Sequence, residues 1–405
     1  MKLLSVAEAQ ERLIEKGRLM ATEGLPIENA AGRILSEDVA ARITQPPFNA
    51  SAMDGYAVLS TDCTKLPISL EVIGESSAGH PFEGDLRPGT AVRIFTGAAL
   101  PSSGDAIAIQ EDCERLDEQT VLIKEVAPNG QFIRPAGYDF HEGDVLLSKG
   151  TCLNFRDLTL LASMNIPEVT VYKKPRVAII ATGDELVSPG EDLGSGQIIS
   201  SIPYGMVQLF ENAGAQATCL GIAKDSMTSL DHYIQQAISQ EQNFDIVVTI
   251  GGASVGDHDL VQAALKNAGM TLDFWKIAMR PGKPLMVGSL ADKSVIGVPG
   301  NPVSALICAE IFVVPLIRSM MALEPTFKPH QKAHLQNTVP SNGPRQHYLR
   351  ALHWMNEEGQ QCVSSLEDQD SSLQATFSKA SCLIVRVPHA ESAQQGDLVD
   401  IYPLD

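Results

Sequence analysis

The chain has 405 residues, 49 Asp and Glu against 30 Lys and Arg for a net charge of −19, and a composition 44% hydrophobic and 20% charged. That length exceeds what one hydrophobic core organises, so two to four domains are expected, and the ordinary apolar and charged fractions exclude dominant disorder. The negative charge excludes non-specific nucleic-acid binding, which needs a basic face, so a phosphorylated ligand must be held by local cations.

Seven cysteines, at positions 63, 113, 152, 219, 308, 362 and 382, are scattered and show no CxxC pair. A reducing compartment fits this better than a disulfide framework or a zinc site. The N-terminus soon turns polar and lacks the apolar core of a signal peptide. No run of about 20 apolar residues suggests a membrane span, so a cytoplasmic protein with no membrane partner is expected.

In chain order, residues 5–20 carry apolar Val6, Ala9, Leu13 and Ile14 at helical spacing, with Ser5 and Glu8 placed as a capping box. Residues 44–139 change to short β-rich runs broken by Pro and Gly, the texture of an all-β lobe. Residues 154–164 return to helical spacing behind Asn154, a candidate N-cap. Segments 1–43 and 140–173 therefore read as a linking domain with helices.

Strands then alternate with helices over residues 174–324, which predicts a mostly parallel sheet covered on both faces. The expected helices are 201–213, 226–240, 260–268 and 303–321, the last kinked at Pro315, which lacks the N–H for one helical bond. Residues 325–405 revert to short strands and suggest a small terminal β-barrel or sandwich. The fold class is thus α/β plus β: a multidomain subunit with a central α/β domain, a β-rich N-terminal lobe and a C-terminal β-barrel-like domain.

The most informative stretch is 296–305, where an apolar run breaks into Pro299-Gly300-Asn301-Pro302 and opens a helix. Such a turn puts backbone N–H groups and a helix N-terminus where an anion can sit. Similar breaks follow residues 177–181 (Gly183, Asp184, Glu185), residues 246–250 (Gly251, Gly252, Ser254, Asp257) and residues 274–279 (Arg280, Lys283). Glycines, carboxylates and cations at several strand ends describe one crevice at the edge of a sheet.

The acids Asp184, Glu185, Asp225, Asp257 and Asp259 beside that crevice suggest a hard cation such as Mg²⁺, which takes oxygen ligands, although each acid could instead cap a turn. Lys276 and Arg280, four apart, would share one face of a strand and offer a cationic wall with Lys283. The bland reading of these cations is a solvated, aggregation-resistant strand edge. In the N-terminal lobe, Pro46-Pro47 stiffens the entry to a loop of small residues with Ser51 and Asp54 as its polar groups. Arg134 and Asp139 lie in a second rigid turn, where a weak local ion pair is the alternative.

With these segments in place, the chain resembles the molybdenum insertase family, the molybdopterin molybdotransferases that include MoeA-like proteins and the gephyrin E domain. The matching residues are 49–57 (Asn-Ala-Ser-Ala-Met-Asp-Gly-Tyr-Ala), 93–98, 182–186, 251–256, 280–284 and 299–304. The resemblance implies an elongated homodimer of four-domain subunits. It also implies a Mg²⁺-assisted reaction in which molybdate and adenylylated molybdopterin give molybdenum cofactor and AMP. A molybdopterin adenylyltransferase would act upstream and molybdoenzymes downstream.

By the same resemblance, Asp54, Thr96 and Asp139 form one wall of the site, with Asp54, Asp139 and Glu185 catalytic. Glu185, Asp225, Asp259, Lys276, Arg280 and Lys283 line the α/β crevice, Pro299 and Pro302 shape its floor, and Arg350 and Ser371 come from the C-terminal domain. Arg280 stands where the family often has Lys, which keeps the charge and changes the hydrogen-bond geometry. Two other readings compete: a molybdopterin adenylyltransferase, which the α/β domain alone resembles, and a non-enzymatic scaffold of the gephyrin type. The flanking β lobes speak against the first, and the absence of a long linker or fused partner speaks against the second.

Overall fold

The computed structural model describes residues 3–128, 130–252, 260–324, 326–327 and 330–404. The chain forms two compact units, one of Met1–Glu23, Gly32–Ser36 and Val171–Asp405, the other of Gly24–Ala31 and Glu37–Thr170. Residues read as a linking domain are divided between these units.

The smaller unit is built on a six-stranded sheet in the order Ala106–Ile109, Gly55–Val58, Thr90–Ile94, Ile68–Ser76, Thr120–Ile123 and Cys113–Arg115. Its pairs are antiparallel except Ile68–Ser76 with Thr90–Ile94. Successive side chains leave opposite faces of a strand. Tyr56 and Val58 accordingly join one apolar cluster with Leu70 and Val121, while Ala57 joins another with Val92 and Ile94. Asn154 caps helix Phe155–Ser163 through a reciprocal box with Asp157.

The larger unit contains the expected α/β sheet, ordered Gln216–Ala223, Arg176–Thr182, Ile246–Ile250, Lys293–Val298, Met286–Leu290 and Thr271–Trp275. The first four strands pair in parallel and the last two pairings are antiparallel, so only Met286–Leu290 runs against the rest. Ile246–Ile250 and Lys293–Val298 are buried at every position, as strands covered on both faces require. Helices Ile202–Asn212, Met227–Ile238 and Leu260–Asn267 fall where the apolar spacing puts them.

Helix Pro302–Met320 is apolar and long enough to cross a membrane, but 78% of its apolar window is buried inside the unit, so it serves as a core helix. It carries a π-helical segment, Ala309–Val313, immediately before the α-helical segment that contains Pro315. In a regular α-helix the Ile311 carbonyl would accept the residue-315 N–H that proline lacks. Gln10 Nε2 donates to that carbonyl instead, at 2.9 Å.

Helix Val6–Glu15 opens with the Ser5–Glu8 capping box and ends five residues earlier than its spacing suggests. Gly17 lies so close to helix Pro302–Met320 that a Cβ there would stand 2.8 Å from Leu316 Cδ1. The C-terminal strands close into a barrel: Gln346–Met355, Gln361–Ser365, Gln331–Leu335, Leu398–Pro403 and Cys382–Arg386, which pairs back with Gln346–Met355. Met279–Arg280 adds to this barrel beside Gln346 and His347.

Candidate active site

Parallel strands in register bring their carboxyl ends to one line. Thr182 pairs with Ala223, Ala181 with Ile250, and Ile250 with Val298. Gly183, Asp225, Gly251 and Pro299 therefore leave the sheet side by side. Gly251 holds φ +93° with its N–H donating to Val298 O, and a Cβ there would stand 2.8 Å from Thr182 Oγ1. Only glycine tolerates both the backbone and the approach. Asp184 and Asp225 exchange backbone-to-carboxylate hydrogen bonds of 3.3 and 3.1 Å, and Lys224 Nζ reaches the carbonyls of Asp184 and Leu186 at 3.4 and 3.3 Å.

Glu185 differs from these neighbours. Its carboxylate lies over Gly183, where any Cβ would collide with it. No hydrogen bond from the described residues reaches that carboxylate. Among the described residues no set of three His, Cys, Asp or Glu side chains converges as a metal site. Ser254, Asp257 and Asp259 lie outside the described residues.

The expectation that Lys276 and Arg280 share a strand face is corrected. The strand ends at Trp275, and Lys276 takes φ +76°. The 276–285 loop then closes on itself, Lys276 N–H donating to Leu285 O at 3.3 Å and Ile277 N–H to Lys283 O at 3.0 Å. The Lys276 ammonium rests 4.2 Å from the centroid of the Trp275 ring. Arg280 and Lys283 instead open, with Ser304, Arg345, Asp368, Asp370 and Ser371, onto a pocket of about 500 Å³. Arg345 and the two aspartates were not singled out from sequence, although the Pro344-Arg345 turn and the run Asp368-Gln369-Asp370-Ser371-Ser372 are the kind of polar turns that build sites.

Arg350 does not offer itself to a ligand. It is 1% exposed, and its guanidinium donates to Gln369 Oε1 and to the carbonyls of Leu373 and Asp368. It thereby shapes the 366–373 loop, whose Ser371 accepts from Asn301 Nδ2 at 2.9 Å through its hydroxyl and from Val303 N–H at 3.1 Å through its carbonyl. That loop is tied to the turn holding Pro299 and Pro302, where Gly300 approaches Gly251. Beneath the pocket cations, burial followed by Arg280, Arg345 and Arg350 pushes the His347 pKa down to about 4, so its ring is neutral at neutral pH.

The smaller unit holds the other group. Ala50–Ser51 pairs with Ile133–Arg134, bringing the Ser51 and Arg134 turns together. Ser51 is fully buried, its hydroxyl donating to Met53 O at 2.5 Å. Asp139 N–H donates to Gln45 O at 3.0 Å and Gly137 N–H to Pro46 O at 2.9 Å, which anchors the Arg134–Asp139 turn on the proline entry. Asp54 Oδ1 accepts from both Thr96 N–H at 2.7 Å and Thr96 Oγ1 at 2.8 Å. These two bonds hold the Asp54 carboxyl below its usual pKa, with Arg93 adding a smaller pull. Burial raises the thiols of Cys308 and Cys382 to about 12 and that of Cys113 to about 11, the opposite of activation.

Three families match consecutive parts of the chain: the MoeA N-terminal region (domain I and II) over residues 4–165, a probable molybdopterin binding domain over 178–319, and the MoeA C-terminal region (domain IV) over 332–404. The molybdopterin molybdenumtransferase of Haemophilus influenzae is 36% identical over 405 residues, covering 100% of this chain and 99% of the relative. The chain belongs to the molybdopterin molybdenumtransferase family. The Bacillus subtilis member is 31% identical and covers 98% of this chain and 93% of its own length. Crystal structures of the molybdopterin biosynthesis MoeA protein of Pyrococcus horikoshii are similar with TM-scores of 0.85 and 0.83, at 31% and 26% identity and with at least 99% of both chains covered. Because the family likeness runs through both β regions as well as the α/β domain, an adenylyltransferase built on the α/β domain alone does not account for it.

Proposed function

We propose that this chain is a molybdopterin molybdotransferase that converts adenylylated molybdopterin and molybdate to molybdenum cofactor and AMP. The observation that carries the reading is the continuity, within one unit, of an acidic row of strand ends and a cation-lined pocket. Both reacting partners are oxyanions, and an acidic protein needs such a focused set of Arg and Lys to hold them.

In this reading Arg280 and Lys283 with Lys276 bind oxyanions, while Gly183, Gly251, Gly252, Pro299 and Pro302 let the backbone approach the pterin and phosphates. Ser51, Arg134, Ser254, Asp225, Asp259 and Ser371 are assigned to substrate binding with them. Arg350 is given a different part, holding the Ser371 loop. Asp54, kept ionised by Thr96, can accept a hydrogen bond from an attacking oxygen at neutral pH and cannot give up a proton. Asp139 is proposed as its catalytic companion.

The Glu185 carboxylate, cradled over Gly183 with no donor from the described residues on it, fits a hard cation, and Asp184 Oδ2, likewise without a donor among the described residues, serves the same purpose. Mg²⁺ commonly takes only one or two carboxylates and completes its shell with phosphates and water. Glu185 and Asp184, with Asp257, would hold it there, and when bound it would offset the charge of the anhydride. The catalytic residues are split between two units, and we take from the family likeness that two copies pair so that the lobe of one serves the crevice of the other. The upstream partner is then a molybdopterin adenylyltransferase and the downstream acceptors are molybdoenzymes.

The test is to incubate purified protein with adenylylated molybdopterin, molybdate and Mg²⁺ and to follow AMP release. Release that requires molybdate and stops in excess chelator is expected. Undiminished release without molybdate would sink the reaction, and undiminished release in chelator would remove the divalent cation from it.

A further inference from the structure

Arg93 lies on strand Thr90–Ile94, directly across from Tyr56 on strand Gly55–Val58. Its guanidinium carbon stands 5.1 Å from the Tyr56 ring centroid and 4.8 Å from that of Phe95. Nη1 donates to Gly55 O at 3.1 Å and Nη2 to Gln110 Oε1, while Gln110 N–H donates back to Asp54 O at 2.9 Å. Glu75 is paired in register with Arg93 on the neighbouring strand, yet both guanidinium bonds go toward the Asp54 side. Every group this side chain holds therefore lies within two residues of Asp54 or Thr96, or is bonded to Asp54 itself.

The consequence concerns direction. Asp54 and Thr96 are both exposed and sit just outside their strands, Asp54 before Gly55–Val58 and Thr96 after Thr90–Ile94, with Asp54 Oδ1 fixed by the two Thr96 bonds and Oδ2 free of bonds from the described residues. A carboxylate at a loop tip aims its free oxygen only as well as the loop is held. A planar fork set against two rings and donating to a carbonyl and to a side-chain amide is pre-organised for that task, which an ammonium point charge cannot reproduce.

We infer that Arg93 is a positioning residue for Asp54: by joining Gly55, Tyr56, Phe95 and Gln110 it locks the two strand ends together and sets where the free oxygen of Asp54 points. This rests on the reading of Asp54 as a reacting group. Arg93 itself touches no substrate in this account.

The test compares Arg93→Gln and Arg93→Lys with Asp54→Asn in AMP release, and measures amide hydrogen exchange at Thr96. Arg93→Gln is expected to lower kcat about 10- to 100-fold with KM within about twofold, the scale of a reacting group displaced by about an ångström. Arg93→Lys should recover only a minor part of kcat, because charge without the fork does not fix the loop. Exchange at Thr96 should quicken in Arg93→Gln.

A rise in KM with kcat unchanged would move Arg93 onto the ligand and overturn the proposal. So would normal turnover of Arg93→Gln beside an inactive Asp54→Asn. Normal turnover of Asp54→Asn would remove Asp54 from the chemistry and the role of Arg93 with it. If the native protein releases no AMP, the reaction itself is wrong, and exchange alone decides: unchanged protection at Thr96 in Arg93→Gln overturns the clamp. Should Arg93→Gln fail to fold, Gln110→Ala removes one anchor alone and should show the same signature in smaller measure, and its silence would count against the proposal.

Discussion

Asp184 and Asp225 each cap the other, the backbone N–H of either residue donating to the carboxylate of its counterpart at 3.3 and 3.1 Å. Two adjacent strand ends are thereby stitched by four groups of which only two are charged. Because Asp184 spends Oδ1 on this bond and keeps Oδ2, the cap and a metal-holding role are compatible and separable. Asp184→Asn retains an acceptor oxygen, so its stability to urea should stay within about 0.5 kcal/mol of native, whereas Asp184→Ala should lose about 1 kcal/mol. The same Asn variant should need about tenfold more Mg²⁺ for half-maximal AMP release, the usual scale for loss of a group supporting a metal. An unchanged Mg²⁺ response would leave Asp184 with its cap alone.

A second prediction follows from Lys276, whose φ of +76° lies in the left-handed region that glycine adopts without strain. A lysine persists there at a cost that its ammonium, stacked on Trp275, only partly offsets. Lys276→Gly should therefore leave the melting temperature unchanged or slightly raised, while molybdate or pterin binding weakens by about tenfold. A lower melting temperature with normal binding would assign the lysine to the fold instead.

How much of this was legible from the chain depends on whether the cause was local. The strand-end acids and glycines could be read because a parallel sheet sends all its carboxyl ends to one edge, and the Ser5 and Asn154 caps because a capping box is a four-residue pattern. Strand Gln331–Leu335 is hard to read from the sequence, for its only apolar side chains, Ala333 and Leu335, look sparse until the barrel closes over them. The Gln10 donor that satisfies Ile311 comes from about 300 residues away, and no window of sequence contains both. Likewise Arg345 and Asp368 become site residues only when the barrel carries them to Arg280, and the left-handed turn at Lys276 has no signature in residue type.

His347 gives a pH prediction. Its folded pKa is lowered from 6.5 to about 4, chiefly by burial and then by Arg280, Arg345 and Arg350. Between these values the unfolded chain binds the proton that the folded chain refuses, so stability is full above about pH 6.5 and falls as pH drops toward about 4. Allowing for partial solvent screening, the loss across this window should be of order 1–2 kcal/mol. Urea midpoints for His347→Gln should lose this part of the acid dependence. Identical pH slopes for native and variant protein would place the acid sensitivity elsewhere.

The last prediction concerns the division of the catalytic set between two copies. Asp139 belongs to the smaller unit and Glu185 to the larger. If one protomer's lobe serves the other's crevice, Asp139→Asn and Glu185→Gln homodimers are each inactive, because every site in either lacks one of the two carboxylates. Mixing them and allowing exchange changes the count. In a mixed dimer one site receives both substitutions and the other receives neither, so half of its sites are native. Statistical pairing makes half of the dimers mixed, and activity should return to about a quarter of the native value if sites act independently. Subunit exchange is checked by native mass spectrometry of differently tagged chains. Verified exchange with no return of activity would put Asp139 and Glu185 to work within one chain.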